Sequence, residues 1–254
     1  METAARMGNC WHSLGCRTHD CCCARLGRGA EAWVNDVKRS ASRVDLHSYL
    51  RTRDSGFAHA LFAPSDGRLL DVGSGGGEDL LSLEKEGWSV VGVDPRRRRP
   101  SVRFVIAIGE SLPFREGSFT AATCILVLPH VSSPVSIVRE VCRVLVPGGR
   151  AAFVVFSRSP LNLRIAVTSH RFSGSSKSFT ARLYSTRGML RLVRSGGFQN
   201  VRSWRLDYLP WMTGWMPPAF RARLLHALDW TERRLSDGPL GFLGRKIVAL
   251  GVKG

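Results

Sequence analysis

Short runs of hydrophobic residues alternate with helical patterns between residues 68 and 156. Amphipathic spacing predicts a helix at 78–86, with Leu80, Leu81 and Leu83 facing inward, and another helix at 134–146. Continuous apolar runs predict buried strands at 68–72, 88–94, 102–106, 119–128 and 150–156. Apolar strands that alternate with helices indicate a parallel sheet covered on both faces, so we predict a doubly wound α/β fold.

The pattern continues less regularly on both sides of this alternation. Before it, apolar spacing predicts a helix at 32–51 and a short helix at 57–62. After it, further helices and strands are predicted at 186–195, 199–206, 218–235 and 246–252. We predict an extension at 1–30, where no period is sustained, and a single domain at 31–254 with a seven-stranded, mostly parallel sheet.

Basic residues outnumber acidic ones, and their excess is uneven along the chain. The 254 residues carry a net charge of +17, and residues 161–254 alone hold 16 basic and 4 acidic side chains. A basic face attracts nucleic acid, anionic lipid or an acidic substrate, although a solvated arginine-rich surface has the same composition. No apolar run approaches the roughly 18 residues of a membrane-spanning helix. Residues 1–28 lack the apolar region of a signal peptide, so we expect a cytoplasmic protein.

Five of the seven cysteines lie within the first 23 residues, close to His12 and His19. A metal site is therefore one interpretation of this segment. Zinc sites typically use a Cys-x-x-Cys pair, which is absent, and the three adjacent cysteines at 21–23 do not easily face one tetrahedral ion. We therefore predict no metal site. Cys124 and Cys142 fall in a predicted strand and a predicted helix, where we expect them to be buried and reduced.

The strongest motif is the glycine-rich segment DVGSGGG at 71–77, between a predicted strand and a predicted helix. A nucleoside can approach the backbone closely there, and the ends of parallel strands are where open α/β sheets bind ligands. Counting from Gly73, the third residue is Gly75 but the sixth is Glu78, which departs from the dinucleotide fingerprint and would repel a pyrophosphate. The motif therefore favours a cofactor with a positive sulfonium and no phosphate, namely S-adenosylmethionine.

Asp94 ends the second predicted strand, one strand after the glycine-rich segment. A carboxylate at this position can accept two hydrogen bonds from a ribose diol. The alternative is a turn residue before Pro95. Its place next to the glycine-rich segment favours ribose binding.

Residues 68–156 resemble the class I S-adenosylmethionine-dependent methyltransferases of the ubiquinone/menaquinone-biosynthesis type, the methyltransferase type 11 family. The resemblance rests on LLDVGSGGG (69–77), VVGVD (90–94), GESLPF (109–114), LVLPHV (126–131) and EVCRVLVPGGR (140–150). Taken in order, these motifs are far more specific than any one of them. The resemblance implies a Rossmann-like methyltransferase domain.

The resemblance also implies roles for individual residues. The glycine-rich segment would hold the methionine end of the cofactor, Asp94 its ribose, and the loop 109–112 would lie beside its adenine. The cofactor-binding residues implied in this way are Asp71, Gly73, Ser74, Gly75, Gly77, Asp94, Glu110, Ser111 and Leu112. His130, just after the fourth strand, would face the space for the methyl acceptor.

Three positions depart from the family pattern. The proline- and arginine-rich segment 95–100 replaces a helix that relatives carry between the ribose-binding acid and the next strand. Ile108 stands where relatives often have an acid that contacts the adenine amino group, and Thr120 stands where they often have aspartate. The first two departures keep a weak or degenerate cofactor site among the hypotheses.

Methyl transfer from a sulfonium needs mainly positioning, and a base helps when the acceptor must lose a proton. His130 has a suitable unperturbed pKa for that role. The alternative is a structural histidine at the start of a helix. Tyr184 and His170 are weaker candidates for the same role.

The acceptor side is predicted to lie in an insertion and lid at 157–235. Its aromatic and methionine residues, which include Trp204, Trp211 and Trp215, predict an apolar pocket for a small hydrophobic acceptor. Core packing, or contact of a basic helix with an anionic membrane, would use the same residues.

Two other functions remain open at this stage. The basic run Arg96–Arg99 suggests a nucleic-acid methyltransferase, but LPHV at 128–131 stands where amino methyltransferases of that kind have Asn/Asp-Pro-Pro-aromatic. The other alternative is a binding protein that kept the fold and lost the cofactor.

Overall fold

The computed structural model describes the predicted sheet region almost completely. The described residues are 58, 61–62, 67–75, 77, 80–85, 87–96, 103–160, 162, 181–207 and 239–254. The predicted extension at 1–30, the predicted helix at 32–51, most of 157–180 and all of 208–235 lie outside them. The division of the chain into these segments therefore stays a prediction.

Seven strands and three helices have both ends among the described residues. The strands are β1 (Arg68–Val72), β2 (Ser89–Asp94), β3 (Arg103–Ile106), β4 (Phe119–Ile125), β5 (Leu145–Phe156), β6 (Phe198–Leu206) and β7 (Lys246–Lys253). The helices are α1 (Leu81–Lys85), α2 (Pro134–Val144) and α3 (Thr186–Ser195), and shorter 3₁₀ helices span Leu128–His130 and Pro239–Leu243.

The strands form one sheet in the order β3-β2-β1-β4-β5-β7-β6. Strands β1 to β5 pair in parallel, whereas β7 runs antiparallel to both β5 and β6. The prediction of a seven-stranded, mostly parallel sheet is confirmed. Because β1 lies between β2 and β4, the carboxyl ends of these three strands form one continuous edge.

Each face of the sheet carries its own hydrophobic core. On one face, α2 and α3 contribute Ile137, Val141 and Met189, all fully buried. On the other face, α1 contributes Leu83, and Phe62 packs at a tilt against Trp88. Helices on both faces explain why four of the five residues of β1, and five of the six residues at 151–156 in β5, are buried.

The ends of α2 and α3 follow from local sequence. Pro134 opens α2, a position where the missing N–H costs nothing. Ser185 caps α3 by accepting a hydrogen bond of 3.0 Å from the Gly188 N–H. Gly197, with φ at +102°, follows the end of α3 and turns the chain into β6.

Several predicted details are corrected by the structure. Leu80 and Leu83 are buried as expected, but Leu81 is 39% exposed, so its predicted inward position was wrong. The helix predicted at 134–146 ends at Val144, and the strand predicted at 150–156 begins earlier, at Leu145, because Leu145 pairs with Phe119. Strand β4 ends earlier than predicted, since Leu126 takes a left-handed conformation with φ at 58°.

The predicted burial of Cys124 and Cys142 is confirmed. Among the described residues, no helix has both the length and the apolar character needed to cross a bilayer.

Candidate active site

The glycine-rich segment turns sharply after β1 and folds back on the end of β2. Gly73, Gly75 and Gly77 all have positive φ, at +77°, +59° and +70°. The N–H groups of Gly73 and Ser74 donate to the Val93 carbonyl at 2.7 and 3.0 Å. Only glycine takes this conformation without strain, so the turn depends on these residue types.

Gly73 also allows a close approach between two loops. A Cβ added at Gly73 would lie 2.1 Å from Cγ2 of Val127, in the segment that follows β4. The glycine-rich segment therefore packs directly against the loop that carries His130. The two loops cannot both keep their places if a side chain stands at position 73.

The carboxylate of Asp94 is half-buried at the end of β2 and holds the glycine-rich segment in place. Its Oδ2 accepts from the Gly75 N–H at 3.2 Å, and its Oδ1 accepts from the Arg96 N–H at 2.9 Å. A carboxylate offers about four acceptor positions, so each oxygen keeps capacity for a further donor. Among the predicted cofactor residues, Asp94 and Gly75 are thus brought into direct contact.

Asp71 and Ser74 lie beneath the turn and are buried. The Asp71 carboxylate accepts from the Thr123 hydroxyl on the neighbouring strand β4 at 2.6 Å. Ser74 packs against the backbone of β2, where a Cβ on Gly92 would lie 2.6 Å from the serine Oγ. Both residues tie the glycine-rich segment to adjacent strands.

The loop 109–112 is held by a pair of residues that sequence reasoning did not identify. The Leu112 N–H donates to Glu140 Oε2 at 2.8 Å. Arg143 donates to both oxygens of Glu140 and also to the carbonyls of Leu112 and Phe114, at 3.0 and 2.8 Å. This hydrogen-bonded pair on α2, which we call the Glu140–Arg143 clamp, fixes both ends of the loop segment 112–114.

The clamp changes the protonation chemistry of both partners. The hydrogen bond from Arg143 lowers the pKa of Glu140, and the same bond raises the pKa of Arg143. Within the loop, Leu112 is buried, Glu110 is half-buried and Ser111 is exposed. The signal was present in EVCRVLVPGGR, where glutamate and arginine stand three residues apart, but that spacing is common on any helix surface.

His130 ends the 3₁₀ helix after β4 and lies near the Phe156 ring, with ring centroids 6.5 Å apart and an edge-to-face arrangement. The residue is exposed overall, yet the protein packed beside the ring withholds water from it and lowers the pKa of the imidazole. A lowered pKa leaves the ring neutral near neutral pH. His130 can therefore accept a proton.

Tyr184 is buried, and its hydroxyl donates to the Leu128 carbonyl at 3.0 Å. Burial raises the pKa of the phenol, and the neighbouring Arg182 partly opposes this effect. Tyr184 therefore holds the turn before His130 rather than offering a base. The other weak candidate, His170, and the tryptophans at 211 and 215 lie outside the described residues, while Trp204 is half-buried on β6.

Comparisons with known proteins agree with this geometry. The model of a family described as a methyltransferase domain matches residues 46–203, more than half of the chain. A demethylmenaquinone methyltransferase from Beutenbergia cavernae is 38% identical over 109 residues, covering 40% of this chain and 45% of the relative. A ubiquinone biosynthesis O-methyltransferase from Xanthomonas axonopodis pv. citri is 30% identical over 124 residues, covering 44% and 52%. The chain thus spans about half the length of these relatives.

The fold is also found in solved structures. A SAM-dependent methyltransferase from Thermotoga maritima, described as a possible histamine N-methyltransferase, aligns with a TM-score of 0.58 at 22% identity. The alignment covers 88% of this chain and 98% of that protein. At this identity the likeness supports the fold.

Proposed function

The chain belongs to this methyltransferase domain family, within the class I S-adenosylmethionine-dependent methyltransferases of the ubiquinone/menaquinone type, and we propose that it transfers a methyl group from S-adenosylmethionine to a small, largely apolar acceptor. The observation that carries the proposal is Asp94, which lies directly on the glycine-rich segment and keeps acceptor capacity on both carboxylate oxygens. A vicinal diol supplies two donors and fits that capacity.

The described residues fit this cofactor in their chemistry. Asp94 would hold the ribose, the backbone of Gly73, Gly75 and Gly77 would lie along the methionine side, and Glu110 to Leu112 would border the adenine. Asp71 and Asp94 bring negative charge to this edge of the sheet, which suits a positive sulfonium better than a phosphate. When bound, the cofactor supplies a methyl group that is already activated as a sulfonium.

The chain's own contribution is mainly to position the reactants, which can lower a reaction barrier by about 7–11 kcal/mol. The packing of Gly73 against Val127 fixes the distance between the glycine-rich segment and the loop that carries His130. The Glu140–Arg143 clamp fixes the loop 109–112. We propose that these contacts set the approach of the acceptor, because both remove freedom from loops on the same edge of the sheet.

We propose His130 as the base for the acceptor proton. Its neutral imidazole could accept the proton of a ring hydroxyl as the oxygen or its conjugated carbon becomes the nucleophile. The names of the two relatives point to quinone-type acceptors, and one of the names specifies O-methylation. A hydroxylated ring with an apolar body is therefore the acceptor class that we propose for this chain.

Calorimetric titration with S-adenosylmethionine tests the cofactor site. We expect Asp94→Ala to weaken binding by about 10²- to 10⁴-fold, because two charge-assisted hydrogen bonds of about 1.5–3 kcal/mol each are at stake. We expect Asp94→Asn to lose less and Gly75→Val to abolish binding, since a branched side chain strains the turn. Glu84→Gln, an exposed loss of one charge on α1, is the matched control. Binding like wild type by both Asp94→Ala and Gly75→Val would refute the site.

A screen of hydroxylated ring compounds with radiolabelled methyl donor tests the acceptor class. Mass analysis of the product then assigns the methylated atom. Transfer to ring hydroxyls or to the adjacent ring carbons supports the proposal. Transfer only to nucleic acid or protein in the same assay would contradict it.

A further inference from the structure

A recess lies beside the loop that carries His130, and none of its lining residues is among the proposed cofactor residues. It is a cavity of about 460 Å³ between the starts of α2 and α3, bordered by residues 132–135, by Arg158 after β5, and by residues 182–185. This volume falls within the usual range of small-molecule sites. The first residue of its wall, Ser132, lies two residues after His130, so the cavity adjoins the loop that carries the proposed base.

The cavity is lined by positive charge without a carboxylate. Arg158 and Arg182 both border it, and none of the residues that line it is acidic. In the part of the chain that the structure describes, the ion pairs formed by Glu116, Glu140 and Asp207 involve neither arginine. Two guanidinium groups without an acidic neighbour favour an anionic ligand, because each offers several donors in a planar fork.

Backbone hydrogen bonds fix the frame from which the two arginines extend. The Arg158 N–H donates to the Tyr184 carbonyl at 2.7 Å, and the Arg182 N–H donates to the Pro129 carbonyl at 3.0 Å. The buried Tyr184 closes the frame with its own N–H, which donates to the Phe156 carbonyl at 2.9 Å. These long-range contacts set the spacing of the two backbone positions from which the exposed arginine side chains extend.

Both polar and apolar residues line the cavity. Ser132 contributes a hydroxyl near the start of α2, where the Ser133 hydroxyl is hydrogen-bonded to that of Ser136 at 2.7 Å, and the positive ends of α2 and α3 add to the field of the two arginines. Leu183 and Leu192 contribute an apolar wall. A ligand with an oxyanion at one end and an apolar body at the other matches this combination.

We propose that this cavity binds a small organic oxyanion, a carboxylate or a phosphate ester on an apolar body, through Arg158 and Arg182. The ligand is either the anionic substituent of the methyl acceptor or a separate effector, and both share this chemistry. This binding site is distinct from the methyl-transfer reaction, because it recognises the negative charge of its ligand and transfers no group to it. Its existence does not depend on cofactor binding.

Ligand-observed NMR titrations of the full chain without cofactor test the site, with benzoate and phenyl phosphate as probes. Benzamide is the neutral counterpart of benzoate and nearly matches it in shape. We expect benzoate and phenyl phosphate to bind at least tenfold more tightly than benzamide, and the double variant Arg158→Gln/Arg182→Gln to remove that difference. Charge-assisted hydrogen bonds are about twice as strong as neutral ones, which accounts for the preference.

The control is the double variant Arg194→Gln/Arg202→Gln, which removes two exposed arginines that do not line the cavity. We expect it to bind benzoate like wild type. Equal binding of benzoate and benzamide by wild type, or equal loss of benzoate binding in both double variants, would overturn the proposal. Thermal unfolding of each variant shows that the fold is retained, and calorimetry with S-adenosylmethionine reports separately on the proposed function.

A paired acceptor screen separates the two sources of the ligand. Hydroxylated ring acids and their amides are compared as methyl acceptors with labelled donor. A preference for the acids that the Arg158→Gln/Arg182→Gln variant loses assigns the oxyanion to the acceptor. Benzoate binding without such a preference assigns it to an effector, and both results support the site.

Discussion

The proposed cofactor site and the proposed acceptor side lie on the same edge of the sheet, but they are built by different means. At the proposed cofactor site, glycines and backbone hydrogen bonds shape the turn after β1, and one carboxylate, Asp94, holds it. At the acceptor end, side chains distant in sequence form the wall, as when Tyr184 donates to the Leu128 carbonyl across 56 residues. A backbone-built turn tolerates few substitutions, whereas a wall built from side chains can change its ligand without losing the fold.

This difference predicts that the acceptor side can be altered without altering the proposed cofactor site. The turn at 73–77 is constrained by conformation, because positive φ restricts it to glycine. None of the residues that line the cavity has a positive φ, so the cavity wall is not restricted to glycine in this way. Substitutions in the glycine-rich segment should therefore affect cofactor binding, whereas substitutions near His130 should affect the reaction of the acceptor.

The largest effect is expected from replacing His130, which should lower the reaction rate without changing cofactor affinity. His130→Gln removes the proposed base but keeps a polar side chain, so we expect kcat for the acceptor found in the labelled screen to fall by about 10²- to 10⁴-fold. Because burial lowers the imidazole pKa below its usual 6.5, wild-type activity should persist down to that pH and fall only below it. The variant should lack this acidic decline.

S-adenosylmethionine affinity serves as the control for the His130 prediction. It should remain unchanged in His130→Gln, because the residue belongs to the acceptor end. A variant that keeps the wild-type pH profile and rate would show that the base lies elsewhere. A variant that loses cofactor affinity would show that the two ends are not separable.

The difference between backbone-built and side-chain-built regions also determines which features of the structure could be predicted from the sequence. The strands, the glycine-rich turn and the place of Asp94 follow from local pattern, since neighbouring residues determine them. The end of β4 at Leu126 and the start of β5 at Leu145 depend on pairing across the sheet, which a linear pattern does not contain. Leu81 was misassigned because an amphipathic stripe is wider than the face that α1 buries.

The side-chain networks were not predictable in the same way. Glu140 and Arg143 were visible as an ordinary helix pair, but their target, the backbone at 112–114, is about 30 residues away in the chain. Arg158 and Arg182 line the same cavity because a bridge joins Ser157 to Tyr184. Local sequence gives no signal for such contacts, because the fold brings them together.

The second largest effect is expected at Gly73. Gly73→Ala adds a Cβ that would lie 2.1 Å from Val127 Cγ2 and also places alanine at φ +77°. Strain of about 1–2 kcal/mol and overpacking of about 1–3 kcal/mol predict a loss of about 3 kcal/mol in the free energy of unfolding. Urea denaturation measures this loss, and calorimetry should show that S-adenosylmethionine binding is lost with it.

Gly148→Ala is the matched control for the Gly73 prediction. Gly148 has φ at +76°, and a Cβ there meets nothing within 4 Å. The control therefore carries the strain alone, about 1–2 kcal/mol, and should leave cofactor binding intact. Equal destabilisation by the two substitutions would show that the contact between Gly73 and Val127 does not join the two loops.

The smallest effect is expected at the Glu140–Arg143 clamp. Glu140→Gln keeps the shape of the side chain but turns charge-assisted hydrogen bonds to Leu112 and Arg143 into neutral ones. We expect a loss of about 2 kcal/mol in the free energy of unfolding, because each charged bond contributes about 1–2 kcal/mol more than a neutral one and the gains overlap. Affinity for S-adenosylmethionine should fall several-fold while the rate at saturation is kept.

Acid titration distinguishes the clamp from a surface charge. Arg143 lowers the pKa of Glu140 in the folded chain below 4.5, so its stabilising contribution is complete above that pH and is lost as the pH falls through the lowered value. The stability difference between wild type and Glu140→Gln should therefore shrink on acidification below 4.5. Glu116→Gln is the control, because Glu116 is 74% exposed in its ion pair with Lys253 and should contribute less than about 1 kcal/mol. A difference that stays constant with pH would mean that the Glu140 carboxylate does not hold the adenine-side loop through its charge.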